Sequence, residues 1–216
     1  GYVYFEDGYV YFEGKKTKLP WLDFIINEKD IQNHPTFCMF SEAIETQLLK
    51  WRKEGYIIWD KFLGDETIDD INNDIDRLLE KKEVDFNYTN RKIFNAYQQS
   101  YTIRKVIKDK RLLQLLSFIL DKKVLPFQTI NFIKGSEQNA HSDWIHMSTF
   151  PKGYLIGVWF ALEDISIEQG AISYYPGSHL LPYLNNSDYD NTSNAYMVDG
   201  KANEKYTKNK SEYPAV

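Results

Sequence analysis

Cysteine is nearly absent from this chain: Cys38 is the only one in 216 residues, so no internal disulfide can staple the fold. Histidine is scarce too, four in all, which makes the setting of each one informative. No apolar run reaches the roughly 18 residues of a membrane span. No basic segment with an apolar stretch and small-residue cleavage site opens the chain, and the expectation is a soluble cytoplasmic protein. An excess of positive charge is also missing. The 26 Lys and Arg are scattered among 31 Asp and Glu, for a net charge of -5. That leaves no basic stripe to neutralise a phosphate backbone and argues against nucleic acid as a partner. Aromatic residues, by contrast, are plentiful. With 16 Tyr, 13 Phe and 43% hydrophobic residues, the composition is that of a folded globular chain, long enough for one domain over 1–216 and short for two.

The opening GYVYFEDGYVYFEG repeats a seven-residue unit. Its alternating aromatics around Asp7-Gly8 read as two short strands and a tight turn within an N-terminal extension, 1–40. From Ser41 to about 125 the pattern is mainly helical. SEAIETQLLKWRKEG places Ile44, Leu48, Leu49 and Trp51 on one face and stops at Gly55, and YIIWDKFL follows as a short strand. The helix opened by Asp65 or Glu66 carries the stripe Ile68, Ile71, Ile75, Leu78 and Leu79, and TIRKVIKDKRLLQLLSFIL supplies a further helix. Over 126–182 the periodicity changes. FQTINFIKG, YLIGVWFALED and AISYYPG are short, β-rich and punctuated by Gly and Pro. Helices first and strands later predict an α+β chain, a sheet core with helices packed on one side. The polar remainder, 183–216, reads as a loop or insertion.

His141 and Asp143 stand two apart in AHSDWIHM. In an extended segment such residues face the same way, so an imidazole nitrogen and a carboxylate oxygen can aim at one point. That makes two adjacent corners of a metal site. The donor pair suits Fe(II), and a second, distant His would complete a facial triad with open positions for substrate and oxygen. Taken alone, the spacing fits a solvated or structurally hydrogen-bonded pair as well. On the same straight strand Trp144 and His146 would take the opposite face.

GSEQNAHSDWIHM, then GVWFALEDI, then GAISYYPGSHLLP, in that order, closely resemble the phytanoyl-CoA dioxygenase-like family of Fe(II)- and 2-oxoglutarate-dependent oxygenases. WRKEGYIIWDKFL and the acidic helix after it look like the family's N-terminal entry. The resemblance runs from about Ser41 to Pro182. It implies a double-stranded β-helix (jelly-roll, cupin-like) core, with His141 and Asp143 as the first two iron ligands and Trp159 against 2-oxoglutarate, where the alternative is a plain core aromatic. Gln128 and Gln138 are further candidates for holding the cofactor, since amides can fix a carboxylate, though they can equally satisfy backbone groups. Trp144 and His146 are candidates for the substrate side. His179, in PGSH, is assigned to a turn rather than to the metal. The implied reactants are Fe(II), 2-oxoglutarate, molecular oxygen and a small molecule. In related halogenases a small residue leaves room for a halide where this chain has Asp143, so the acid implies hydroxylation.

The resemblance also expects a second His on a late strand and an Arg about ten residues after it. No His follows His179 and no Arg follows Arg111. The expectation is a fragment of a longer protein whose β-helix is incomplete here. The alternatives are a non-catalytic β-helix binding module and a metal-dependent cupin of another reaction class, such as an isomerase. Substrate identity and oligomeric state are beyond the sequence.

Overall fold

The computed structural model describes residues 3–6, 9–12, 15–24, 27–87, 90–135, 143, 149 and 151–181. Three strands come first: β1 (Val3–Glu6), β2 (Tyr9–Phe12) and β3 (Lys15–Lys18) form an antiparallel sheet in the order β1-β2-β3. The expected hairpin is present, with Tyr4 opposite Tyr11. A third strand, polar in sequence, extends it by pairing Lys18 with Tyr9.

Two short helices, α1 (Trp21–Phe24) and α2 (Glu28–Gln32), lead to α3 (Glu42–Glu54). The spacing of Ile44, Leu48 and Trp51 buries one face of α3. Gly55 then ends the helix at φ 75, and its N–H donates to the Trp51 carbonyl at 2.7 Å. The next helix, α4 (Asp65–Glu80), starts with Asp65 and Glu66 against the positive end of its dipole and buries Ile71, Ile75 and Leu78. The stretch read as one helix over TIRKVIKDKRLLQLLSFIL is two, α5 (Tyr101–Ile107) and α6 (Lys110–Leu120). The break has a local cause: the Asp109 side chain accepts from the Arg111 N–H and caps a new helix. Ser100 caps α5 in the same way by accepting from the Ile103 N–H at 3.0 Å.

Most of the buried apolar side chains among the described residues fall into two clusters. The first joins Leu22, Ile31, Phe37, Ile44, Leu48 and Trp51 to Leu115, Phe118 and Ile119 of α6. The second joins Ile71 and Ile75 of α4 to Ile93, Ala96, Ile103 and Val106. A completely buried leucine such as Leu48 contributes about 2–3 kcal/mol. The segment 151–162 ties the clusters together, since Ile156 packs on the first and Phe160 and Leu162 on the second.

Short strands β4 (Lys92–Phe94) and β5 (Ile130–Phe132) pair antiparallel, with Ile93 opposite Asn131. The α+β class therefore holds. Of the other expected strands, YIIWDKFL, YLIGVWFALED and AISYYPG form no ladder among the described residues, and FQTINFIKG contributes only β5. In the first of these, the Gln47 amide takes a neighbouring strand's place. It accepts from the Ile58 N–H at 2.7 Å and donates to the Ile58 carbonyl at 2.9 Å.

Candidate metal centre

Asp143 is exposed. A Cβ built at Gly157 would lie 3.6 Å from its Oδ2, so the backbone after Tyr154 runs beside the carboxylate with the side-chain position between them left open by the glycine. Lys92 of β4 feels its charge. Burial lowers the Lys92 ammonium's affinity for its proton, and Asp143 opposes that by favouring the charged form. The same ammonium stands 5.0 Å over the Phe132 ring of β5. The β4–β5 ribbon and the GVWFALED segment thus meet at this acid.

The ribbon carries a second feature that the sequence reading missed. Asn95 Oδ1, Thr129 Oγ1 and Asn131 Oδ1 are buried and have no hydrogen-bond partner among the described residues. The Asn95 N–H donates to the Thr129 carbonyl at 2.8 Å, continuing the pairing of Ile93 with Asn131, so the three polar side chains are neighbours on one ribbon. Unpaired buried oxygens cost about 1–3 kcal/mol each. The signal in the sequence was slight: an Asn directly after Ile93 and Phe94, and two polar residues after Gln128.

Of the residues expected at the site, His141, Gln138, Trp144 and His146 lie outside the described residues. Gln128 is half-buried at the start of the ribbon segment. Trp159, two positions beyond Gly157, is 44% exposed among the described residues. The donor chemistry at Asp143 suits a divalent cation: an exposed carboxylate with room at Gly157, and in the chain an imidazole two residues earlier. Among the described residues no three His, Cys, Asp or Glu come together as a metal site.

His179 lies elsewhere, in the 3₁₀ turn Ser178–Leu180, as the turn reading expects. Its ring is held against the end of α3, with Nε2 4.0 Å from Asp23 Oδ1. Burial, then the nearby Arg52, lower its pKa to about 4. Burial raises Asp23 to about 6, against the pull of the Trp51 N–H and Arg52.

No helix among the described residues is long and apolar enough to cross a membrane. No solved structure matches the chain. Over 45 residues it is 40% identical to phytanoyl-CoA dioxygenase domain-containing protein 1 of Mus musculus, 42% to that of Bos taurus and 44% to that of Danio rerio. Each match covers 21% of this chain and 16% of the relative's length. The sequence profile of phytanoyl-CoA dioxygenase matches residues 51–216. With that match spanning well over half its length, the chain belongs to the phytanoyl-CoA dioxygenase family.

Proposed function

We propose that the protein of which this chain is all or part is an Fe(II)- and 2-oxoglutarate-dependent dioxygenase that hydroxylates an unactivated carbon of a small molecule. The observation that carries the reading is the meeting of Asp143 with the GVWFALED segment at Gly157, inside the span matched by the family. His141 and Asp143 would hold the iron, which when bound supplies oxygen activation coupled to the conversion of 2-oxoglutarate to succinate and carbon dioxide.

The chain's own groups have distinct tasks around that centre. Asp143 supplies a hard oxygen donor whose negative charge is balanced by the nearby Lys92. A carboxylate at this position, where related halogenases have a small residue, favours hydroxylation over halogenation. Gln128, Gln138 and Trp159 are the proposed contacts to the cofactor's carboxylates and chain. Trp144 and His146 are the proposed contacts to substrate. Asn95, Thr129 and Asn131 bring acceptor oxygens, and amide donors by rotation, to the same ribbon.

The test is succinate release by the protein in its natural reading frame, supplied with Fe(II) and 2-oxoglutarate. The expected result is turnover that disappears in His141→Ala and Asp143→Ala. A metal-loaded protein that releases no succinate would overturn the reading in favour of a binding module.

A further inference from the structure

We propose that Asp23 and His179 act as one proton-holding latch that fastens the turn 177–180 onto the C-terminal end of α3, whatever reaction the protein performs. The imidazole occupies the space directly over Gly55: a Cβ built there would lie 2.0 Å from His179 Nδ1. Gly55 is therefore required twice, for its positive φ and for its missing side chain. Around that contact the seam is closed by the Gly177 N–H donating to the Glu54 carbonyl at 3.0 Å, and by Tyr174 against Tyr56 with ring centroids 5.4 Å apart. Trp51 lies at 5.9 Å from the His179 ring and donates its indole N–H to Asp23 Oδ1 at 2.8 Å. Arg52 donates to the Asp23 backbone carbonyl.

Both ring nitrogens of His179 are buried without a partner among the described residues, and Asp23 is the carboxylate facing them at 4.0 Å. The titratable and charged groups around the pair are Asp23 from α1, Arg52 from α3, and Tyr154 and Tyr174 from the segment 151–176; both phenols are raised above their usual range, first by burial. An arginine already occupies the pocket, so a second cation on His179 is disfavoured, while burial disfavours an anion on Asp23.

Separately, the two groups would give folding opposite pH dependences. Asp23, raised from 3.8 to about 6, contributes stability that is complete below its unfolded value and lost as pH rises through 6. His179, lowered from 6.5 to about 4, contributes stability that is complete above its unfolded value and lost as pH falls through 4. Between these limits each slope is about tenfold in the unfolding constant per pH unit, with opposite sign. Together the opposite slopes offset one another, so the seam responds less to pH than it would with either group alone.

The test is equilibrium urea unfolding of this chain between pH 4.5 and 6, alongside His179→Gln, Asp23→Asn and the double variant. Relative to the parent, the unfolding constant of His179→Gln should fall about tenfold per pH unit on acidification, and that of Asp23→Asn should rise by a similar factor. The double variant should regain the parent's profile. Single variants that keep the parent's slope, or that both shift it in one direction, overturn the proposal. Should His179→Gln not fold, NMR titration of His179 in the parent decides: a midpoint near 4 supports the latch, and one at 6.5 or above removes it.

Discussion

Asp23 beside the first core and Asp74 beside the second each accept a side-chain hydrogen bond and each lie near an arginine, yet their proton affinities move in opposite directions. Asp74 accepts from the Ser100 hydroxyl at 2.6 Å on one oxygen and from Arg77 at 3.1 Å on the other. Burial works against its charge, but these bonds outweigh burial and hold the carboxyl below its usual range. Asp23 has the Trp51 indole on one oxygen, and Arg52 donates to its backbone carbonyl. Burial wins there. Proximity to an arginine is thus a poor guide: Asp23 is the more deeply buried of the two and has no guanidinium on its carboxylate oxygens, whereas Asp74 is more open and has both oxygens hydrogen-bonded.

The largest effect that bears on this comparison comes from the first core itself. Leu48→Ala removes a side chain with 0% exposure and should cost about 3–5 kcal/mol in urea unfolding. Gly55→Ala comes next, at about 2–4 kcal/mol, because it strains a positive φ and drives a methyl into the His179 ring. Adding His179→Ala should recover the collision part of that loss and none of the backbone part. In the second core, Ser100→Ala should cost about 2 kcal/mol at neutral pH, since one hydroxyl caps α5 and also donates to Asp74. Asp74's stabilisation is complete above about pH 4 and is lost as pH falls through its lowered folded value. The Ser100→Ala deficit should therefore shrink in acid. Smallest is Asp23→Asn, which should stabilise the protein by about 1–2 kcal/mol at pH 8 by removing a poorly solvated charge while Trp51 keeps an acceptor. A loss at pH 8 would place Asp23 with Asp74 and dissolve the contrast.

The helices were the legible part of the sequence, and the reason is periodicity. Ile44, Leu48 and Trp51, and Ile71, Ile75 and Leu78, repeat at intervals that fit one face. Asp109 was not legible as a break, because an acid among lysines reads as a solvated face until its oxygen is seen on the Arg111 N–H. Gly55 could be read as a helix stop, but its second task depends on His179, 124 positions away in sequence and pressed against it in space. Asp143 could be singled out from its spacing to His141 and its surrounding motifs. Its nearness to Gly157 and its influence on Lys92 are tertiary facts that no local pattern encodes. Asn95, Thr129 and Asn131 escaped notice because polar residues in short strands commonly face water, and only pairing shows that these oxygens are buried.

Gln47 closes both hydrogen-bonding groups of Ile58 with a single side-chain amide. Ile58 is itself 56% exposed, and an apolar residue on an open extended backbone is the usual starting point for unwanted strand addition between molecules. With its N–H and carbonyl already engaged, Ile58 itself offers no template to a foreign strand. One glutamine on α3 thereby closes the backbone of an exposed isoleucine, beside the charges of Asp60 and Lys61.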